Sequence, residues 1–294
     1  EVEENFQQGK KAVIRFKTTK VEIVAFDDLI RGQIEFDPKL MGDFSIARDL
    51  KSPLYNFSVV IDDFEMKITH VIRGEDHISN TPKQILLQEA LGFPHPKYGH
   101  LSMILAPDRS KLSKRHGSVP ARDYRRDGYL PEALVNFLAL LGWHPQDERE
   151  IFSLKSLEKE FSLERVQKSG AVFNEQRLNW LNGFYLRNLS LENLTEKCLP
   201  YLIEAGLIKV SAESLPAQLI PVPIEEKWRE QKYEVEESRA VVEFDYLTRI
   251  IGLYQQRLKK LSEIAELTDF FFKDEIVYPF ELLRWKEMKD KEIR

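Results

Sequence analysis

Residues 111–115, which read Lys-Leu-Ser-Lys-Arg, combine two lysines with a small hydroxyl between them. They follow an apolar run at residues 101–105, and we predict that they lie in a loop. Such a loop can fold over a polyphosphate, because Ser113 and backbone N–H groups donate hydrogen bonds while Lys111 and Lys114 offset charge on a departing pyrophosphate. Taken alone, the same string also fits an ordinary exposed loop, so its interpretation depends on its neighbours.

A second group of polar residues lies where a predicted strand ends. Residues 67–73 favour a strand, and the next four residues read Gly-Glu-Asp-His. In open α/β sheets, ligands bind in loops at the carboxyl ends of strands. Arg73 stands at that end, and its planar guanidinium suits a carboxylate ligand. The structural alternative is an ion pair between Arg73 and either Glu75 or Asp62.

The helix that follows this loop has start and stop signals. Thr81 is predicted to cap its first turn, with Pro82 at the start and Gln84 completing a capping box. Gly92 is predicted to end it. The segment therefore predicts a strand–loop–helix unit, which places the polar loop at one edge of a sheet.

The chain as a whole divides into an α/β part, up to about residue 116, and an all-helical part after it. Apolar runs in the first part predict strands over residues 12–17, 21–26 and 55–61. Helical periodicity in the second part predicts short amphipathic helices over residues 130–141, 154–160, 176–182, 194–205 and 246–265. Aromatic side chains of this second part are predicted to pack in cores: Phe137, Trp143, Trp180, Phe270, Phe271 and Phe272.

Composition limits the class of protein. A length of 294 residues fits two or three domains, and no run approaches the roughly 20 apolar residues of a membrane helix, so no membrane partner is expected. The single cysteine, Cys198, cannot form an intramolecular disulfide or a cysteine-based zinc cluster, and it fits a reducing compartment. The sequence contains neither a dinucleotide-binding nor a P-loop glycine motif, and its histidines lack metal-ligand spacing.

The charge pattern is uneven. A net charge of −5 argues against indiscriminate nucleic-acid binding, but it is compatible with a local basic patch. Six basic residues fall within residues 111–126: Lys111, Lys114, Arg115, Arg122, Arg125 and Arg126. This stretch is either a solvated face or a phosphate-binding surface.

Together these segments resemble the glutamyl branch of the class I aminoacyl-tRNA synthetases, the glutamate–tRNA ligases of bacterial and organellar type. Residues 111–115 resemble the second signature of that family. Residues 69–77 (Thr-His-Val-Ile-Arg-Gly-Glu-Asp-His) and 79–84 (Ser-Asn-Thr-Pro-Lys-Gln) match it too. So do residues 98–101 (Tyr-Gly-His-Leu) and 128–134 (Gly-Tyr-Leu-Pro-Glu-Ala-Leu), in the family's order and spacing. The resemblance extends from Ala12 to the C-terminus and is weaker in the helical tail.

The resemblance implies ATP-dependent ligation of L-glutamate to tRNA(Glu) through glutamyl-adenylate, in protein synthesis. It also implies ATP with Mg²⁺ as a substrate, no protein-bound zinc, no covalent enzyme nucleophile, and a monomer in the cytoplasm or an organelle. The implied domains are the C-terminal half of a Rossmann-like catalytic domain at residues 1–116, a stem-contact domain at 117–188 and an anticodon-binding domain at 189–294.

Single residues acquire roles from the same resemblance. Arg73 matches the arginine that pairs with the carboxylate of glutamate, and Tyr55 matches a tyrosine of that pocket. Lys114 matches the lysine on the ATP phosphates, assisted by Lys111 and Ser113. Further implied contacts are Glu75, Asp76, His77 and the backbone near Met103 and Ile104 for ATP, and Arg122, Arg125 and Arg126 for tRNA. The side chains of Met103 and Ile104 are expected to be core.

Two departures from the family and three alternatives accompany this interpretation. The family's first signature, His-x-Gly-His, is absent, and the first residue is Glu1 rather than Met. We therefore expect a chain cut at its start, without a last small helical domain and inactive in isolation. The alternatives are a glutaminyl enzyme, whose anticodon part is β-barrel in relatives, a glutamyl-queuosine tRNA(Asp) synthetase, which is shorter, and a non-catalytic tRNA-binding module. Charging of tRNA(Gln) as well as tRNA(Glu) also stays open.

Overall fold

The protein is described by a computed structural model covering residues 4, 8, 13–18, 23–112, 120–210 and 228–275. The chain divides into two compact units, each formed by two separate stretches. Unit 1 comprises Glu1–Ser118 and Leu138–Asn174, and unit 2 comprises Val119–Phe137 and Glu175–Arg294. The three-domain division at residues 116 and 188 stays a prediction.

Helices occur in both units. They are α1 (Tyr55–Glu65), α2 (Thr81–Leu91), α3 (Ala121–Arg126), α4 (Pro131–Gly142), α5 (Leu154–Glu160), α6 (Glu175–Arg187), α7 (Leu191–Glu204), α8 (Phe244–Tyr254) and α9 (Glu263–Thr268). Short 3₁₀ helices cover Pro38–Leu40, Glu75–Asn80, Leu163–Arg165 and Asp269–Phe272. Within the described ranges, none of the helices has both the length and the apolar character needed to cross a membrane.

The strands of unit 1 are short. They are β1 (Ile14–Phe16), β2 (Val24–Asp28), β3 (Gly32–Phe36), β4 (Phe44–Ala47), β5 (His70–Gly74), β6 (Lys97–Leu101), β7 (Ile104–Leu105) and β8 (Ala171–Val172). A four-stranded sheet has the order β3-β2-β6-β5, in which β6 is parallel to both β2 and β5. The carboxyl ends of β2, β6 and β5 therefore meet at one edge. Two smaller pairs, β1 with β4 and β7 with β8, complete the strands.

One sequence prediction in unit 1 is wrong. Residues 55–61, predicted as a buried strand, belong to α1. The β-branched residues at positions 59–61 favour a strand, but Phe57 and Val60 lie at helical spacing and pack in the same core, and burial of that face decides the outcome. Val60 is almost fully buried in the core between the helices and the sheet.

Two hydrophobic clusters stabilise unit 1. The first joins the sheet to α1 and α2 through Val24, Phe44, Val60, Ile85, Leu86, Leu87 and Tyr98. The second contains Ile30, Trp143, Phe152, Leu157 and Val166. The prediction that Trp143 is a core residue is therefore confirmed.

Unit 2 packs α7, α8 and α9 around one core that includes Leu194, Leu202, Leu247 and Ile264. It also contains three strands, which are β9 (Ile208–Val210), β10 (Lys232–Val235) and β11 (Val241–Glu243). They form an antiparallel sheet of order β11-β10-β9, whereas the sequence predicts almost only helices after residue 151. The single helix predicted over residues 246–265 is two helices, α8 and α9.

The aromatic predictions for unit 2 have mixed outcomes. Phe137 and Phe272 are buried, as predicted, and Phe271 is partly buried against the core. Trp180 and Phe270 are exposed, so the core prediction is wrong for both. Periodicity identifies a helix face, but it does not show where that face extends beyond its packing partner.

The close approach of residues around Gly128 joins distant parts of unit 2. Gly128 has φ +89°, and a Cβ there would lie 2.5 Å from the backbone nitrogen of Leu261, so this position requires glycine. Asn182 donates to the Gly128 carbonyl at 3.2 Å and accepts from the Leu130 N–H at 2.8 Å. Ser262 Oγ donates to the Asp127 carbonyl at 2.7 Å.

Candidate functional site

Arg73 lies near the end of β5, in register with His100 on the parallel neighbour β6. Its guanidinium donates to four side chains: Nε to His100 Nε2 (3.2 Å), Nη2 to Thr81 Oγ1 (2.9 Å) and Gln84 Oε1 (2.8 Å), and Nη1 to Tyr55 Oη (3.4 Å). None of these partners is an acid. The positive charge of Arg73 is therefore held in place by polar groups without being neutralised by them.

The ion pair considered as an alternative for Arg73 does not occur among the described residues. Glu75 instead accepts from Arg31 Nη2 through one carboxylate oxygen and from the Met103 N–H, at 2.9 Å, through the other. Glu75 thus ties the loop after β5 to the segment after β6. No ion pair joins Arg73 to Asp62 in the part of the chain that the structure describes.

The predicted helix cap at Thr81 and Gln84 is wrong. The 3₁₀ helix Glu75–Asn80 runs directly into α2, and Asn80 already has helical backbone angles. Because the helix has no free start here, neither side chain is needed to cap it. Thr81 and Gln84 hold Arg73 instead, and Gln84 Nε2 donates to Asn56 Oδ1 at 3.0 Å.

A buried acid–imidazole pair lies beneath Arg73. Asp28 Oδ2 is 2.6 Å from His100 Nδ1, and both side chains are completely shielded from solvent. Asp28 Oδ1 accepts from the N–H groups of Ile30 (2.9 Å), Arg31 (2.9 Å) and His100 (3.2 Å). No local sequence pattern predicts this pair: His100 lies within the family match at residues 98–101, but neither it nor Asp28 has a predicted role.

The pKa shifts of this pair indicate an ionised acid beside a neutral ring. Burial alone would raise the pKa of Asp28, but hydrogen bonds from the Arg31 backbone and the His100 side chain outweigh it and lower that pKa. Burial lowers the pKa of His100, against the opposing effect of Asp28. Arg73 and Arg31 also lower the pKa of His100, because they disfavour a further positive charge nearby.

Tyr55, which Arg73 contacts through Nη1, packs in turn against His77. Their rings are 5.6 Å apart, and Tyr55 Oη lies 3.4 Å from His77 Nδ1. Asn80 Nδ2 lies 3.3 Å from the same ring nitrogen. The structure therefore brings Arg73 and Tyr55, which the family resemblance assigns to the glutamate pocket, close to His77, which it assigns to the ATP contacts.

Residues predicted to contact the nucleotide follow the same loop. Lys111 Nζ lies 3.0 Å from Asp76 Oδ2, and this hydrogen bond is the main reason that the pKa of Asp76 is lowered. Ile104 is 38% exposed, so its predicted burial is wrong; its carbonyl accepts from the Leu112 N–H at 3.0 Å. Ser113 and Lys114 lie outside the described residues.

The predicted tRNA-contacting residues Arg122, Arg125 and Arg126 lie on α3 in unit 2. The side chains of Arg122 and Arg126 are 86% and 70% exposed. Each lies close to the aspartate next to it in sequence, Asp123 or Asp127, at 3.7–3.8 Å. Such exposed pairs contribute little to stability, so these guanidinium groups remain accessible to phosphate.

Comparison with known families agrees with this geometry. Residues 1–180 match the family model for the catalytic domain of class I tRNA synthetases (E and Q), and residues 193–293 match an anticodon binding domain. The chain belongs to the class I tRNA synthetase family defined by these catalytic domains.

Individual relatives indicate the glutamate branch of the family. The chain is 42% identical to glutamate–tRNA ligase 1 of Caldanaerobacter subterraneus subsp. tengcongensis, over 93% of this chain and 51% of that protein. It is 44% identical to glutamate–tRNA ligase of Desulforamulus reducens, over 92% of this chain and 50% of that protein. The chain thus spans about half the length of these curated relatives.

A solved structure shows the same fold. A glutamate tRNA ligase from Elizabethkingia meningosepticum, crystallised in complex with its amino acid, is 30% identical with a TM-score of 0.72. The match covers 97% of this chain and 54% of that one. The sequence prediction of the family is therefore confirmed.

Proposed function

We propose that the protein expressed from its complete gene joins L-glutamate to tRNA(Glu) in two steps, as a monomer in the cytoplasm. An oxygen of the α-carboxylate first attacks the α-phosphorus of ATP, which gives glutamyl-adenylate and releases pyrophosphate. A terminal ribose hydroxyl of the tRNA then attacks the acyl carbon, loses its proton and releases AMP. ATP enters with Mg²⁺ on its phosphates. Side chains contribute by positioning and by charge rather than as nucleophiles.

The observation that supports this proposal best is that no acid forms a hydrogen bond or ion pair with Arg73 among the described residues. A partly buried guanidinium without an acidic partner is costly, and an anionic ligand removes that cost. Its four partners fix its orientation at the carboxyl ends of the strands, where α/β sheets bind ligands. The proposed anion is the side-chain carboxylate of glutamate, since the α-carboxylate must stay free to attack ATP.

The hydrogen-bond pattern of Arg73 defines how this carboxylate would bind. Nε and Nη2 already donate to protein groups, whereas Nη1 has only the long 3.4 Å contact with Tyr55 among the described residues. One carboxylate oxygen can therefore lie between Nη1 and the Tyr55 hydroxyl. A fork of two parallel hydrogen bonds from adjacent nitrogens requires that Thr81 or Gln84 release Nη2.

The loop at residues 75–77 is proposed to bind the nucleotide in two ways. Glu75 acts through the backbone, because both its oxygens are used to hold Arg31 and Met103. Asp76 and His77 are more open and are proposed to contact the nucleotide directly. Asp76 also positions Lys111, which begins the segment that carries Ser113 and Lys114.

The test of this function is an amino-acid panel in the ATP–pyrophosphate exchange assay, with tRNA present and protein expressed from the complete gene. Glutamate should support exchange, and glutamine or aspartate should support at least roughly 100-fold less, because each leaves Arg73 without a correctly placed carboxylate. Exchange that prefers glutamine would favour the glutaminyl alternative. Binding of tRNA without any exchange would favour the non-catalytic alternative.

Binding of tRNA is expected to depend strongly on salt through α3. Replacing Arg122 and Arg126 together by glutamine should weaken tRNA binding and reduce the slope of log K against log salt by about 2, or about 1 for each phosphate contact. A filter-binding or anisotropy titration at several salt concentrations measures this slope. Arg48→Gln, at an exposed arginine of unit 1, is the matched control and should leave the slope unchanged. An unchanged slope in the double variant would remove α3 from the RNA surface.

A further inference from the structure

We propose that His100 is a positioning residue for the amino-acid site. In this proposal Asp28 fixes the neutral ring with its proton on Nδ1, and the Nε2 lone pair orients Arg73 so that Nη1 is left for the ligand. The proposal rests on the proposed function in one respect, namely that this ligand is glutamate. It adds two residues, Asp28 and His100, that contact neither substrate.

The position of the proton follows from what Asp28 can do. An ionised carboxylate only accepts hydrogen bonds, so at 2.6 Å from His100 Nδ1 it requires a proton on that nitrogen. Both side chains are fully shielded, so water cannot take the place of either partner. In a neutral ring the other nitrogen, Nε2, is then an acceptor.

Among the described residues in contact with Nε2, the Arg73 guanidinium is the one that can only donate a hydrogen bond. Arg73 Nε–H is 3.2 Å away, and an arginine has no lone pair to offer in return. Thr81 Oγ1 lies 3.1 Å from Nε2 and 3.3 Å from the His77 carbonyl oxygen. As a hydroxyl, it can either donate a hydrogen bond to Nε2 or accept one from it. A proton on Nε2 would therefore oppose the Arg73 N–H, and the guanidinium would have to turn.

The sheet holds this chain of contacts rigidly. Parallel pairing of β5 with β6 puts Arg73 opposite His100, and Asp28 ends the next strand, β2. The backbone donors on Asp28 Oδ1 fix the carboxylate from its other side. The turn after β2 thus fixes Asp28, Asp28 fixes the imidazole of His100, and that imidazole fixes the guanidinium of Arg73.

Asp28→Asn separates this role from simple packing. The amide oxygen can keep the backbone hydrogen bonds, and the NH₂ group then faces His100 Nδ1. That arrangement requires the opposite tautomer of His100, in which the proton is on Nε2 and faces the N–H group of Arg73. We expect KM for glutamate to rise by at least ~10-fold, equivalent to about 1.4 kcal/mol, with KM for ATP within about threefold.

The double variant Asp28→Asn/His100→Gln provides the rescue. A glutamine side chain can present its amide oxygen where Nε2 stands, and an amide has no tautomer for position 28 to control. The double variant should therefore recover most of the glutamate affinity that Asp28→Asn loses. If Asp28 and His100 only join β2 to β6, removing both cannot restore affinity, and the double variant will be no better than Asp28→Asn.

Nitrogen-15 spectra of the histidine rings test the tautomer without any ligand. His100, assigned by the signal lost in His100→Gln, should carry its proton on Nδ1 in the parent protein and on Nε2 in Asp28→Asn. A proton on Nε2 in the parent protein, or a lack of rescue in the folded double variant, would overturn the proposal. If the tautomer is as expected but glutamate binds neither the parent nor any variant, the proposed substrate fails while the positioning of Arg73 by His100 stands.

Discussion

Replacing Arg73 by alanine or lysine is expected to lower kcat/KM for glutamate by at least ~30-fold in the protein expressed from its complete gene. Removing one member of a buried, hydrogen-bonded charge pair typically costs about 2–5 kcal/mol, or roughly 30-fold to several-thousand-fold. Lysine cannot replace arginine, because one ammonium group cannot reach His100, Thr81 and Gln84 while still facing the ligand. The KM for ATP should stay within about threefold.

The controls for this prediction are a second arginine and a stability measurement. Arg149→Ala removes an exposed arginine of unit 1 that pairs with Asp147 and Glu160, and it should leave glutamate kinetics unchanged. Melting temperature is measured for every variant. If Arg73→Ala melts at a much lower temperature but keeps a normal KM for glutamate, Arg73 is a structural residue and the substrate role fails.

Replacing Lys114 by alanine is expected to slow formation of glutamyl-adenylate by roughly 10²–10³, the usual cost of losing one preorganised charge donor. The expectation comes from the position of Lys114 in the lysine signature. It also draws on Lys111, which begins the same segment and is held by Asp76 at the site. Pyrophosphate exchange measures the rate, and tRNA binding should change little, because the charge acts on the phosphates of ATP.

A matched lysine tests whether the effect belongs to that position. Lys51 is exposed in unit 1, and Lys51→Ala should leave exchange within about twofold. If Lys114→Ala also remains within about threefold of the parent protein, the lysine segment does not act on the phosphates. A parallel loss of tRNA binding would instead indicate an RNA-contacting role for Lys114.

Local signals in the sequence predicted some elements well and others poorly. The end of α2 is confirmed at Gly92, where a left-handed glycine lets Phe93 donate back to the Gln88 carbonyl at 2.8 Å. The end of α1 has no such signal, because its left-handed residue is Lys67. Local signals alone therefore favour a strand for the apolar, β-branched run in α1.

Residues of the candidate site were predictable only where they belong to local sequence motifs. Arg73, Tyr55 and His77 were identified through local motifs and the family resemblance. The pairing of Asp28 with His100 spans 72 residues and depends on which strands are neighbours, which no local pattern specifies. The same reason accounts for the pairing of β9 with β10, two short strands that lie apart along the chain.

The interleaving of the two units has a consequence for how the protein is made. On the ribosome, residues 119–137 emerge long before their partners in unit 2, since Asp127 and Ser262 are 135 residues apart. At the usual ~5–20 residues per second, the early segment waits roughly 7–27 s until Ser262 is synthesised, an interval that includes the whole second stretch of unit 1. A single cleavage cannot release either unit intact, because a stretch of the other unit lies between its two stretches in the sequence. Expression of either unit alone therefore requires a gene that joins its two separate stretches directly.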